Sequence, residues 1–234
     1  MTRNASRPRN LAVLTLAALC ACWQLSACAA DATMKLPVPA LDAPKVPGTL
    51  QTAVLSGGCF WGVQGVFEHV RGVKQVIAGY AGGARSSASY EQVATGSTGH
   101  AESVQISFDP QTVSYGELLQ IFFAVAHDPT QLNRQGPDTG SQYRSAIVYM
   151  NEEQEKIARA YLEQLGQAHL FSRPIVTRLD PYKGFYPAEG YHQDYLIRNP
   201  HQPYIVFNDL PKIEHLKHLF PDYYVDAPVM VAAR

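Results

Sequence analysis

Downstream of a proline-rich stretch the apolar residues switch repeatedly between strand-like and helix-like periods, and this alternation limits the chain to a mixed sheet-and-helix domain. TAVLSGG, from Thr52 to Gly58, is a short apolar run ending in glycines and reads as a buried strand. From Cys59 to Val70 the residues Phe60, Val63, Val66, Phe67 and Val70 fall at helical spacing. VKQVIAGY and SVQISFD read as strands, SYGELLQIFFAVA as a helix with a serine start, and YRSAIVYM as a strand. NEEQEKIARAYLEQLGQA reads as a helix whose first-turn acids suit its dipole, and PIVTRLD as a closing strand. The order β-α-β-β-α-β-α-β predicts an α+β fold. Its core is a split βαβ, ferredoxin-like sheet with a helical layer and an irregular C-terminal segment.

The residues ahead of this domain read differently. MTRNASRPRN carries Arg3, Arg7 and Arg9 and no acid, and it precedes the apolar run LAVLTLAALCACWQL and the small-residue stretch SACAAD. That is the layout of a secretory signal, and the run is short for a transmembrane span. LSAC, ending at Cys28, matches a bacterial lipobox, so residues 1–28 are expected to be a signal peptide with Cys28 lipidated as the mature N-terminus; ordinary cleavage at the overlapping alanine-rich site is the alternative. Residues 29–50 hold Pro37, Pro39, Pro44 and Pro47, too closely spaced for a helix or a central strand. They are expected to form an extended tether reaching about 60 Å at about 3.1 Å per residue. Residues 51–234 form the expected catalytic domain, and the location that follows is the cell envelope or periplasm, with a lipid anchor on a membrane.

Charge and cysteine content narrow the function. Nineteen Lys and Arg against 20 Asp and Glu give a net charge of -1, which leaves no basic footprint for nucleic acid. Of the 4 cysteines, Cys20 and Cys22 would leave with the signal and Cys28 would be lipidated or removed. The mature domain then keeps a lone thiol, Cys59, with no disulfide framework and no thiolate cluster for a metal.

A thiol at a helix N-terminus meets unpaired N–H groups and the positive end of the dipole, both of which favour the thiolate. A pKa depressed by about two units from about 8.5 would leave most of it ionised at neutral pH. Free cysteines more often pack as small hydrophobes. Phe60 and Trp61, however, project from different faces of the expected helix, so one of them is available to line a pocket beside the sulfur. Two segments rich in polar and aromatic residues, GYAGGARSSASYEQVATGSTGHAE and HDPTQLNRQGPDTGSQYR, are long irregular stretches of the kind that carry function.

GCFWG, Gly58 to Gly62, resembles the active-site motif of the A-type peptide methionine sulfoxide reductases. The resemblance extends from about Thr52 to Leu210 through GYAGG, the SY of SSASYEQV, TGHAE, HDPTQLNRQGPDTGSQYRSAI and EGYHQDYL. It implies reduction of methionine S-sulfoxide, free or in proteins, to methionine, without a metal or organic cofactor. Residue by residue, it implies Cys59 as nucleophile, Glu102 as acid near the sulfoxide oxygen, and Tyr90 and Tyr143 as hydrogen-bond donors to that oxygen. Phe60 and Trp61 would hold the substrate methyl group, and Asp138 would support the site. His100, His127 and His192 read as structural, and His215 with His218 as a solvated helix face. Many relatives resolve the resulting sulfenic acid with a second cysteine near the C-terminus, and no cysteine follows Cys59 here. An external thiol, thioredoxin-like, glutaredoxin-like or small, is the expected partner. Two rival readings are a cysteine acyl-transfer enzyme using Cys59 with His100 and Asp138, and a non-catalytic thioether-binding protein of the envelope.

Overall fold

The computed structural model describes residues 1–2 and 36–231, so the expected signal peptide beyond Thr2, with Cys20, Cys22 and Cys28, lies outside the described residues. In chain order the elements are β1 (Gln51–Gly57), α1 (Phe60–Glu68), β2 (Val73–Ala81), α2 (Tyr90–Val93), β3 (Ala101–Phe108) and α3 (Tyr115–Ile121). They continue as β4 (Arg134–Gln135), β5 (Asp138–Thr139), β6 (Ser145–Tyr149), α4 (Glu152–Ala168), β7 (Arg178–Pro181), β8 (Phe185–Pro187), α5 (Tyr195–Arg198) and α6 (Leu210–Leu219). Six strands form one sheet in the order β7-β6-β1-β3-β2-β8, and β4 pairs with β5 as a separate hairpin.

The fold is α+β, and β3 is inserted between β1 and β2 while β6 lies on the far side of β1, all antiparallel. β7 joins β6 in parallel after the α4 crossover. Period-two alternation sorts β1: Ala53 and Leu55 belong to the main core with the helices, and Val54 packs with Val148 and Ala81 in a small separate cluster. α3 opens on a capping box in which the Ser114 side chain accepts from the Glu117 N–H and Glu117 accepts from the Ser114 N–H. Asn151 caps α4, accepting from the Gln154 N–H, ahead of Glu152, Glu153 and Glu155.

Three segments differ from the sequence expectations. α1 ends at Glu68 rather than Val70, because the backbone of Val70 leaves the helix to form a β-bridge with Tyr224 while its side chain stays in the core. The C-terminal segment, expected to be irregular, holds α5, a π-turn at Ile205–Asp209 and α6. Leu196, Ile205, Ile213 and Leu216 anchor it in the main core at intervals too uneven for one periodicity to show. Its last described residues close on one backbone carbonyl and one buried carboxyl group. The Val229 N–H donates to the Glu68 carbonyl, and the Val231 N–H to Asp194 Oδ1, both at 2.9 Å.

The third difference is the proline-rich stretch, which from Leu36 onward is bound to the domain instead of hanging free. Leu36 is 2% exposed and sits in the main core. Gln120 Nε2 donates to the Leu36 carbonyl at 2.7 Å, the Tyr161 hydroxyl to the Pro37 carbonyl at 2.9 Å, and Gln164 brackets the Val38 carbonyl and Ala40 N–H. Asp42 then accepts from the Gly116 N–H and the Ser114 hydroxyl at the start of α3, and Lys45 pairs with Glu117 at 2.8 Å. Proline supplies the extended backbone, and amide side chains on α3 and α4 satisfy the carbonyls that its lack of partners leaves open.

Candidate active site

One end of the sheet gathers the expected site residues, and strand direction explains why. β1 and β2 end there, while β3 and β6 begin there. The β1–β3 register pairs Leu55 with Val104, so two residues further along each strand Glu102 stands level with Gly57; Tyr80 pairs with Glu102 from the other side. Ser145, the first residue of β6, pairs with Gly57, which brings the turn Ser141–Tyr143 to the same end. β3 starts at Ala101, two residues earlier than its apolar alternation predicts, so Glu102 lies within a strand and is 3% exposed.

Cys59 is the cap residue of α1 and is 8% exposed. Gly58 enters it at φ 91°, a conformation that favours glycine, and a Cβ there would stand 2.5 Å from the Gln135 side chain. Gln135 is fixed in turn by reciprocal bonds with the Asp128 backbone, so the hairpin β4–β5 closes directly over the turn. The first free N–H of the helix, Phe60, donates to Glu102 Oε2 at 3.0 Å. Burial pushes the Glu102 carboxyl up to about 8 against the pull of this N–H, and the nearby Asp138 adds to the rise. The carboxyl is therefore a proton carrier at neutral pH.

The thiol departs from the expectation of a depressed pKa. Burial, then the carboxyl groups of Glu102, Asp209 and Asp138, hold Cys59 well above its ordinary value, and only the Trp61 N–H pulls it down. The helix terminus is not an open array of donors: its first amide is committed to Glu102. Cys59 in this state is a protonated thiol enclosed by acids.

Around it stand phenols and aromatic rings. Tyr90 and Tyr143 both have raised pKa values, first through burial and then through Glu102, Cys59 and Asp138, which places both hydroxyls in the electrostatic neighbourhood of the thiol and the acid. Each remains a neutral donor. Tyr90 is placed by Glu189, which accepts the Tyr90 N–H at 3.0 Å and the Tyr80 hydroxyl at 2.8 Å. Asp138 is half-buried and accepts from the Tyr204 hydroxyl. Phe60 is buried, while Trp61 is partly exposed and stacks on Tyr195 at 3.8 Å between ring centroids and 11° between planes. The Trp61 indole N–H donates to His192 Nδ1 at 3.1 Å, and Tyr204 meets the same indole edge-on. The indole is held on two sides and free on part of its face, a surface suited to a small apolar group.

The histidines mostly keep the structural role expected of them. His100 accepts from the Gly83 N–H at Nδ1 and meets the Ala84 carbonyl at Nε2, so both ring nitrogens are occupied by one backbone turn. It has none left to serve as base to Cys59, which removes the geometry an acyl-transfer enzyme requires. His127 is buried between the Phe122 carbonyl and the Ser145 hydroxyl. His192 touches the site, because its ring packs on Phe60 at 5.0 Å and on Tyr90 at 4.5 Å while it fixes Trp61.

Sequence reasoning missed Tyr204, Glu189 and Asp209. Glu189 lies in EGYHQDYL, where its acid type next to a matched motif was the available signal. Tyr204 and Asp209 come from HQPYIVFNDLPK, which carries no motif and reaches the site only through the π-turn that ends the chain's return to α1.

A family model described as peptide methionine sulfoxide reductase matches residues 51–223. The chain is 58% identical over 191 residues to peptide methionine sulfoxide reductase MsrA 2 of Mesorhizobium japonicum, covering 82% of this chain and 97% of that protein. It is 50% identical to MsrA 2 of a Synechocystis species, covering 80% and 89%. Among solved structures, methionine sulfoxide reductase A of Corynebacterium diphtheriae aligns at 35% identity and a TM-score of 0.56, covering 73% of this chain and 87% of that one. Mxr1 of Saccharomyces cerevisiae in reduced form aligns at 34% and 0.59, covering 68% and 91%. The chain therefore belongs to the peptide methionine sulfoxide reductase family and reduces methionine sulfoxide at the expense of a thiol.

Proposed function

We propose that the enzyme works in the cell envelope, tethered through a lipid on Cys28, and repairs exported proteins by reducing the S epimer of methionine sulfoxide. Cys59 attacks the sulfoxide sulfur, and the S–O bond breaks as its oxygen passes to Cys59. Methionine leaves, and Cys59 becomes a sulfenic acid. The sulfoxide sulfur is a reluctant electrophile until its oxygen is protonated, so Glu102 supplies a proton and Tyr90 and Tyr143 donate hydrogen bonds. Phe60 and Trp61 hold the methyl group, and Asp138 supports the site through Tyr204. The observation that carries this reading is the buried Glu102 carboxyl, tied to the backbone of the residue after Cys59 and pushed up to about 8.

No cysteine follows Cys59 in the sequence, so two external thiols complete the cycle: one forms a mixed disulfide with Cys59 and releases water, and the second restores the thiol. The chemistry is tested by incubating the protein with a thiol reductant and racemic methionine sulfoxide and following methionine by chromatography. Consumption confined to the S epimer is expected, and turnover of neither epimer would remove the reading. Without reductant, one equivalent of substrate should add the mass of one oxygen and create a site for a sulfenate-trapping dione. Loss of two hydrogens without trapping would reveal a disulfide partner. For location, Cys28→Ala should release the protein from the membrane fraction or block processing; wild-type protein recovered wholly in the periplasmic extract would contradict the anchor.

A further inference from the structure

Asp209 is 0% exposed, yet it carries a carboxyl group. Its Oδ1 accepts from Lys212 Nζ at 3.0 Å, and its Oδ2 is buried without a partner. The pair lies flat on the first turn of α1: a Cβ at Gly62 would stand 2.0 Å from Asp209 Oδ1 and 2.7 Å from Lys212 Nζ. The second glycine of GCFWG is therefore the gap through which an ion pair, its carboxyl buried and its ammonium half-buried, approaches the helix that carries Cys59. Removing the Lys212 ammonium would leave the buried Asp209 carboxylate uncompensated.

We propose that Asp209 and Lys212 are positioning residues for sulfoxide reduction, a charge pair that holds the first turn of α1 and sets the reactivity of the Cys59 thiol. The titratable groups in the electrostatic neighbourhood of that thiol are Glu102 from β3, Asp138 from β5, Tyr90 from α2, Tyr143, Tyr204 and Asp209 at the head of α6, with Lys212 beside Asp209. Glu102 and Asp209 differ in their partners. Burial pushes both carboxyls up, but Glu102 has a single backbone donor and no cation, whereas Asp209 has an ammonium at 3.0 Å that opposes the effect of burial and favours its ionised form. One site thus holds a carboxylic acid that can give a proton and a carboxylate whose negative charge opposes premature ionisation of the thiol. The Lys212 ammonium limits that opposition, so a substrate that displaces water and polarises the site can still draw the thiolate out.

This inference rests on Cys59 being the reacting thiol, and its test reads that thiol directly, so its failure leaves the sulfoxide assay untouched. The rate of Cys59 alkylation by iodoacetamide is measured against pH in folded wild-type protein and variants, with kcat and KM for methionine sulfoxide alongside. Asp209→Asn removes the carboxylate and leaves the ammonium, so the alkylation midpoint should fall by about one pH unit, within the range a neighbouring charge commands. Asp209→Asn combined with Lys212→Met removes both charges and should bring the midpoint back toward wild type. The kcat profile should move with the midpoint while KM stays within about twofold, because nothing that holds substrate has changed. Lys212→Met alone alters the pair at a side chain that reaches the surface and should displace the midpoint even if Asp209→Asn fails to fold, and Lys212→Arg should leave it in place. An unmoved midpoint in folded Asp209→Asn, or in Lys212→Met should the former not fold, would reduce the pair to packing and overturn the proposal.

Discussion

At the scale of single residues, the resting site pairs a thiol that holds its proton with a carboxyl that holds its own. Neither is reactive alone. In the proposed mechanism, reduction begins when a sulfoxide oxygen arrives as an acceptor for the Glu102 proton, which makes the sulfur electrophilic as the thiol becomes a nucleophile. Glu102→Gln keeps the size and the acceptor for the Phe60 N–H but has no acidic proton, and single-turnover reduction should slow by roughly 10²–10⁴-fold. The same residue sets a pH limit. Because its pKa is raised to about 8, the proton is present below that value and lost above it, so wild-type reduction should decline as pH rises through about 8. In stopped-flow single turnovers this decline should be absent from Glu102→Gln; a retained decline would assign it to another group.

At the scale of elements, the strands and longer helices could be read from runs and periods of apolar residues because each packs at regular positions along its length. β1 alternates between two packed faces, and α3 and α4 announce their starts with Ser114 and Asn151. The gathering of candidate residues was legible wherever a motif sat at the sheet end, as with Cys59, Glu102, Tyr90, Tyr143 and Asp138, while their roles stay with the proposed mechanism. It was illegible where tertiary packing decides. The lone thiol looked like a dipole-activated nucleophile because sequence cannot show three carboxyls converging on it, and β8, three residues paired to the end of β2, is too short to have a period. The proline-rich segment looked unattached because proline spacing reports backbone conformation and says nothing of the partners that accept it. Its contribution is measurable. Asp42→Ala removes the acceptor of the Gly116 N–H and the Ser114 hydroxyl at the start of α3 and should cost about 1 kcal/mol of stability in urea unfolding, as loss of a helix cap does, with kcat unchanged. A loss of nothing would mean that water replaces it fully.

For the whole molecule, stability should depend on pH through its buried carboxyls. Glu68 is 1% exposed and is pushed up to about 9, first by burial and then by Asp194. With a folded pKa raised from 4.5, the folded state binds the proton more tightly than the unfolded chain. The stabilisation this gives is complete below about pH 4.5 and is lost progressively as pH rises toward and through about 9. Thermal unfolding should therefore show a falling melting temperature on the alkaline side, and Glu68→Gln, which cannot ionise, should flatten that slope. A slope unchanged in Glu68→Gln would locate the effect elsewhere. The docked segment has a consequence of another kind, for the order in which the chain assembles. Its hydrogen bonds join Pro37 to Tyr161 and Ala40 to Gln164, each across 124 residues, so a chain emerging N-terminus first presents this segment long before its docking surface on α4 exists. Contacts of such long loop closure form late, and the leading residues must wait, exposed to proteases, until α4 has followed them. A protease pulse during refolding should therefore cut this stretch until α3 and α4 have become resistant.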